Sequence, residues 1–310
     1  MSLFALITAL SLEQLYPLTL RGKLSAWLNA YLHFLHSNFN AGEHQHGQIA
    51  WLLAVLPFLF IVLLLHYLLR DLHPLLAWGV DVVVLYLTMG FREYSHFYTG
   101  IQAALRQDDL AEARRLLAVW RSVSAPELNG EEVARLSIEQ ALLAGQHRVF
   151  GVMVWFVLFS VLGLGGAAGA LLYRFAHQIN QRWQDADEEG RFSEFARHAW
   201  SVIAWLPTRL NAITFAIVGN FEDTLYCWRH QAGCWPDQAE GIVLASGAGS
   251  LGVRLGMGIA QGGIVLDRPE LGLGDDADTD FMQNVIGLVG RSVVFWLIFL
   301  LMLSLANLLG

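Results

Sequence analysis

The sequence predicts an all-α, polytopic membrane protein, and three observations predict it. Only 15% of the 310 residues are charged while 55% are hydrophobic, against about a quarter charged in ordinary soluble domains. The apolar residues gather in long stretches instead of alternating with polar ones, the pattern of helices that use lipid as their solvent. Several stretches reach the roughly 20 residues a helix needs to cross a ~30 Å hydrocarbon core at ~1.5 Å per residue. The expected architecture has about four to five membrane-embedded helices, an amphipathic N-terminal region and a soluble helical hairpin.

Taken in order, residues 1–12 (MSLFALITALSL) lack a basic leading region and a small-residue cleavage site, so they read as a retained helix. Residues 21–48 carry His33, His36, His44 and His46 among aromatic residues, at a spacing that suits a helix lying along the interface. Residues 50–69 (AWLLAVLPFLFIVLLLHYLL) form the strongest span, with a kink expected at Pro57 and His66 placed at the headgroups. Residues 75–90 form a second span, in which Asp81 must face a partner helix or a polar cavity because a carboxylate is costly against lipid. Residues 149–172 read as a third span, crossing alone, whose small residues over 163–170 permit close helix approach. Residues 202–218 contain Pro207 and Arg209 and are either a kinked span or a re-entrant segment. Residues 285–309 are the terminal span, with Arg291 near its start able to snorkel.

Between these spans, residues 91–148 read as soluble helices: LAEARRLLAVWRSV sets Leu110, Leu116, Leu117 and Trp120 on one face before Pro126 and Gly130 turn the chain. Arginines recur through 91–148 and again through 173–199. One straight crossing between them conflicts with the cytoplasmic preference of basic loops. The division that follows is an N-terminal part over 1–49 and a membrane domain over 50–310, which includes the hairpin 91–148 and an acidic loop 267–280.

Other classes are excluded. A net charge of −8 argues against nucleic acid, which needs concentrated Lys and Arg. Two cysteines, Cys227 and Cys234, supply neither a disulfide framework nor a four-thiolate zinc site. The His44/His46 pair has no ordered ligand spacing around it, and the acidic loop lacks the rest of a calcium-binding pattern. No metal centre is therefore expected. In FREYSHFYTG, Arg92, Glu93 and His96 lie within helical reach of one another, as a site or as a polar cap on the second span. The glycine-rich ASGAGSLGVRLGMGIAQGG has no lysine where a phosphate-cradling loop requires one. Its small residues predict close backbone packing, and Arg254 within it needs a partner.

LPTRLNAITFAIVGN and SGAGSLGVRLG resemble the L-P-A-R-L and A-G-A-L-G segments of the CobD/CbiB and AmpE superfamily of membrane proteins, and LRQDDLAEARRLLAVW and VLDRPELG are similar to its leucine-rich hairpin and last loop. The resemblance covers about residue 75 to the C-terminus. Its synthase branch joins a corrinoid carboxyl to aminopropanol or its phosphate, late in cobalamin assembly. Against that branch's E-T-V-A-E-N-x-x-D segment, EQALLAGQH keeps Glu139 but has Leu143, Ala144 and His147 at the second Glu, the Asn and the Asp. His177 and Asn180 stand at the Asn and Asp of its N-T-L-D segment, and Trp200, Ser201, Ala204 and Trp205 replace D-D-x-x-N-Y. Lost carboxylates neither bind Mg²⁺ nor act as bases. FREYSHFYTGIQAALRQDD and the Glu13-Gln14 start are similar to the AmpE branch instead.

The expectation is accordingly an AmpE-like protein of the bacterial inner membrane, a non-catalytic, envelope-related sensor or scaffold for a corrinoid or a cell-wall-related small molecule. The alternative is a cobalamin-pathway amide synthase using a corrinoid, ATP and Mg²⁺. Glu139, Arg174, His177, Arg209, Asn211 and Arg254 are the candidate ligand-binding residues. The expected partner is the lipid bilayer, with a homo-oligomer allowed.

Overall fold

The computed structural model describes residues 2–15, 21–40, 44–121, 127–187, 190–261 and 264–309. In chain order, α1 (Ser2–Leu15), α2 (Arg21–Phe39), α3 (His44–Leu72), α4 (Pro74–Thr88), α5 (Phe91–Arg106), α6 (Leu110–Arg121) and α7 (Gly130–Gly145) lead into a π-turn at Gln146–Phe150. There follow α8 (Gly151–Val161), α9 (Gly166–Ala186), α10 (Glu194–Val218), α11 (Phe221–Gln231) and α12 (Gln238–Leu251). Four short strands, β1 (Leu255–Gly256), β2 (Ile259–Gln261), β3 (Ile264–Leu266) and β4 (Glu270–Leu271), precede the terminal helix α13 (Thr279–Leu309).

Among the described residues, four helices are long and apolar enough to cross a membrane: Gln45–Leu72, Gly130–Val161, Glu194–Val218 and Thr279–Ala306. The protein is a polytopic all-α membrane protein. On α3, Leu52, Leu56, Phe60, Ile61, Leu64 and Leu68 face outward, an apolar surface suited to lipid and costly in water. The segment over 202–218 is not re-entrant: α10 runs unbroken through Pro207, as apolar helices tolerate when neighbours satisfy the freed backbone group.

The chain forms two compact units, 1–90 with 147–207 and 91–146 with 208–310. In the first, α4 packs on α1 and α3, and α9 packs on α3, α4 and α8. Asp81 of α4 is satisfied internally, as its burial requires. The Ala167 N–H in the first turn of α9 donates to its Oδ1 at 3.3 Å, and His66 Nδ1 lies 3.3 Å from the same oxygen. His66 is therefore a buried partner and not a headgroup residue. A carboxylate beside a helix N-terminus also gains from the aligned backbone dipoles.

The third expected span differs most. α8 ends at Val161, the chain turns through 162–165, and α9 returns beside α8. Gly163 and Gly165 adopt φ of 73° and 81°, positive values that glycine takes without a Cβ clash, and Gly165 caps the start of α9. The helices approach so closely that a Cβ on Gly169 would lie 2.2 Å from the Trp155 carbonyl oxygen and one on Gly151 would lie 1.9 Å from Tyr173 Cζ. The small residues pack a hairpin, not a straight crossing. Arg148 before α8 and Arg174 on α9 flank one end of the hairpin.

In the second unit, Asn129 and Glu132 form a reciprocal capping box that starts α7. Tyr98 of α5 donates to the Met282 carbonyl at 2.8 Å and Gln102 to that of Thr279 at 2.9 Å, holding α5 to α13. α12 packs on α11 and α7 through bare backbone: a Cβ on Gly249 would lie 2.5 Å from the Asp223 oxygen, and one on Gly247 2.6 Å from Leu142 Cδ1. The glycine-rich segment thus serves packing. Beyond it, β1 pairs with β4 and β2 with β3, both antiparallel, adding two small ribbons that the all-helical expectation did not include.

Candidate functional site

Glu139 lies on α7, which packs against α5, α12, α13 and β1, and its side chain is only 6% exposed. A carboxylate so placed must be compensated or it neutralises. Two segments distant in sequence compensate it. The Gly256 N–H of β1 donates to Oε1 at 2.9 Å, and Arg268 Nη2 donates to Oε2 at 2.5 Å. Gly256 is required there: its φ is 74° and a Cβ would lie 1.9 Å from the Pro269 carbonyl oxygen. Arg268 in turn lies over the Trp235 ring at 5.0 Å, a cation–π contact that fixes the guanidinium's plane.

Further charges surround this pair. Trp235 Nε1 donates to Glu240 Oε2 at 3.4 Å. Burial, reinforced by Asp237 and Glu139, pushes the Glu240 carboxyl above the usual carboxylate range, while the Trp235 bond and Arg121 pull it back. Burial lowers the Arg121 guanidinium, against the attraction of Glu139 and Glu240 and with the repulsion of Arg268. Arg135, buried on α7, reaches Glu131 at 3.4 Å and the Gly258 carbonyl at 3.5 Å. One carboxylate is thus paired with a guanidinium and a backbone N–H, while burial biases a second toward its neutral form.

A separate cluster lies in the first unit. His147 and His177 stack with ring centroids 4.1 Å apart, and Trp200 lies 5.6 and 5.0 Å from them. Tyr173 places its hydroxyl 3.5 Å from His147 Nδ1. Arg148 and Arg174 bear electrostatically on both imidazoles. Three positions at which the family resemblance places Asp or Asn thus meet in space as a buried aromatic stack.

The six candidate residues are not one site. Arg174 and His177 belong to the imidazole cluster, and Glu139 to the charged cluster of the other unit. Asn211 is buried on α10 and donates to Gln146 Oε1 at 2.9 Å. Arg209 is half-buried two residues earlier. Arg254 finds its partner in the acidic loop, 2.5 Å from Asp276 and 3.8 Å from Glu270. Sequence reasoning missed Arg121, Arg135, Trp235, Glu240 and Arg268. The available signal was Glu139 itself, because a carboxylate among the apolar residues of EQALLAG demands a cation from elsewhere.

Among the described residues no group of three or more His, Cys, Asp or Glu is placed to hold a metal ion. Cys227 is buried and Cys234 exposed, both free. The side chains of His44, Arg92 and Glu93 lie outside the described residues, and His96 is exposed.

The family model for the CobD/Cbib protein matches residues 5–289. A Stutzerimonas stutzeri protein named cobalamin biosynthesis protein CobD is 34% identical over 297 residues, covering 93% of this chain and 91% of that one. A Chromobacterium violaceum protein of the same name is 34% identical, covering 72% and 70%. The Salmonella typhimurium cobalamin biosynthesis protein CbiB is 26% identical, covering 70% and 67%. No solved structure matches the chain. These relatives overturn the expectation of an AmpE-like, non-catalytic sensor: proteins this similar over most of the chain carry the name of a biosynthetic pathway. The inference from missing acidic residues weighed only those positions, whereas Glu139 is paired with Gly256 and Arg268 of two other segments.

Proposed function

The chain belongs to the CobD/CbiB family, and from that premise we propose that it forms an amide in cobalamin biosynthesis, joining a corrinoid carboxyl to an amino alcohol or its phosphate at the bacterial inner membrane. The observation that carries this reading is the convergence on Glu139. The retained glutamate of EQALLAGQH, the backbone of GVRLG and the arginine of VLDRPELG meet at one carboxylate, and all three segments resemble the synthase branch.

Condensing a carboxylate with an amine expels water and requires the carboxylate to be activated, which a phosphoryl donor such as ATP supplies when bound. Among the described residues no group of three or more His, Cys, Asp or Glu gathers at this pair, and no step is assigned to a metal ion. The residues present supply a fixed ion pair: Arg268 and the Gly256 N–H donate to Glu139, and Glu240 beside them, once deprotonated, is the group suited to accept a proton from a substrate ammonium.

The test is complementation. Expressed in a bacterium lacking its own CobD/CbiB protein, the chain should restore the amidated corrinoid, detected by mass spectrometry of cell extracts. Unamidated corrinoid accumulating despite full membrane expression of the chain would overturn the reading.

A further inference from the structure

We infer that Pro57 and Pro207 are sockets: each frees one backbone carbonyl inside an apolar helix, and an aromatic side chain of a second helix plugs it, locking the two helices in register. The inference goes beyond the proposed reaction and does not depend on it.

A proline has no N–H, so within a helix it leaves the carbonyl four residues earlier without its usual donor. For Pro57 of α3 that carbonyl belongs to Leu53, and for Pro207 of α10 it belongs to Ile203. Both are taken by another helix. The Tyr31 hydroxyl of α2 donates to the Leu53 oxygen at 3.0 Å, and Trp155 Nε1 of α8 donates to the Ile203 oxygen at 3.0 Å. Trp183 Nε1 of α9 also reaches a helix carbonyl, that of Leu32, but at 3.3 Å. No proline stands four residues beyond Leu32, so that oxygen keeps its helical donor.

The surroundings make a missing donor costly. Leu53 and Pro57 lie on the exposed face of α3, where lipid offers no hydrogen bond. Ile203 and Pro207 are buried, away from lipid and water alike. Other rings hold each plug in place. Tyr31 stacks on Trp27 at 5.9 Å, with Phe58 of α3 edge-on to both. Trp155 meets Phe159 edge-on at 5.7 Å.

The two locks act on different parts of the first unit. One straps α2 onto α3, the most apolar span. The other joins α8, which follows His147 and Arg148, to α10 one turn after Trp200. It thereby sets the register in which Trp200 meets the imidazole pair.

The test is a pair of double-variant cycles on the full-length protein in detergent, read by denaturant unfolding. Alanine at 57 or 207 restores the N–H and the ordinary helix bond, so the aromatic donor becomes dispensable. Y31F should raise the unfolding equilibrium constant about tenfold, the scale of a stranded carbonyl, but less than about twofold in P57A. W155F loses packing in either background, so only the difference counts: its effect should be about tenfold smaller in P207A than beside Pro207. A ring that acts by packing alone gives the same effect in both backgrounds, and that result overturns its socket. P57G and P207G restore the same N–H and replace an alanine variant that fails to accumulate in membranes.

Discussion

The buried pair of Glu139 and Arg268 concentrates the energetic stakes of the charged cluster in two side chains. Removing one partner strands the other charge in a poorly hydrated place, so E139Q and R268Q should each lower unfolding free energy by about 3–5 kcal/mol. The double variant should cost clearly less than the sum, since neither charge is then left alone. Denaturant unfolding in detergent measures all three. Glu240 gives a pH signature of opposite kind. Its folded-state pKa is raised above the ordinary value of 4.5, so the stability it contributes is fully present below that value and is lost as pH rises through the folded pKa. Melting temperature should therefore fall with rising pH across the window just above 4.5, and E240Q should flatten that decline. An equal slope in the variant would assign the effect to other groups. The need of Glu139 for a cation was legible in the sequence but the partner was not, because Glu139 and Arg268 are 129 residues apart and nothing local in VLDRPELG marks its arginine as a buried partner.

At the scale of elements, the α8–α9 hairpin depends on glycines that admit backbone where a side chain would stand. G169A places a methyl against the Trp155 carbonyl oxygen, within 2.2 Å, and must push the helices apart. A loss of about 1–3 kcal/mol is expected, the usual cost of overpacking. Gly79 on α4 has no atom within 4 Å of a built Cβ, so G79A should be neutral or slightly stabilising. Comparing the two melting temperatures separates contact from helix propensity. The run over 50–69 was readable as a helix because nothing interrupts its apolar character. The hairpin was not, because GLGGAAG describes a packing stripe and a turn equally well in one dimension. Only the positive φ of Gly163 and Gly165 distinguishes them.

For the whole molecule, membrane character was legible from composition alone, because the shortage of charge does not depend on how the helices are arranged. The protein should remain with membranes through an alkaline wash that strips peripheral proteins. Its two thiols report on sidedness. Cys234 is exposed, whereas Cys227 is buried and its thiol is pushed up to about 11 by burial first and by Asp223 second. A membrane-impermeant maleimide at neutral pH should modify Cys234 alone, and from one face of sealed vesicles only. Labelling of Cys227 in the folded protein would contradict the packing of α11 on α12. The assignment to a biosynthetic family was within reach of the motifs, but the missing acidic residues pointed away from it. Charge compensation depends on three-dimensional neighbours, which motif positions do not record.

The return of α9 beside α8 has an electrical consequence. From Val149 to Tyr173 the chain carries no ionisable acid or base other than the tyrosine phenol, and the arginines at its two ends sit together. A pair that enters the bilayer tip first carries no ionisable side chain other than that phenol through the membrane field, where each charge would gain or lose about 2.3 kcal/mol per 100 mV. Its insertion should accordingly proceed at the same rate in energised vesicles and in vesicles whose potential has been collapsed by an ionophore.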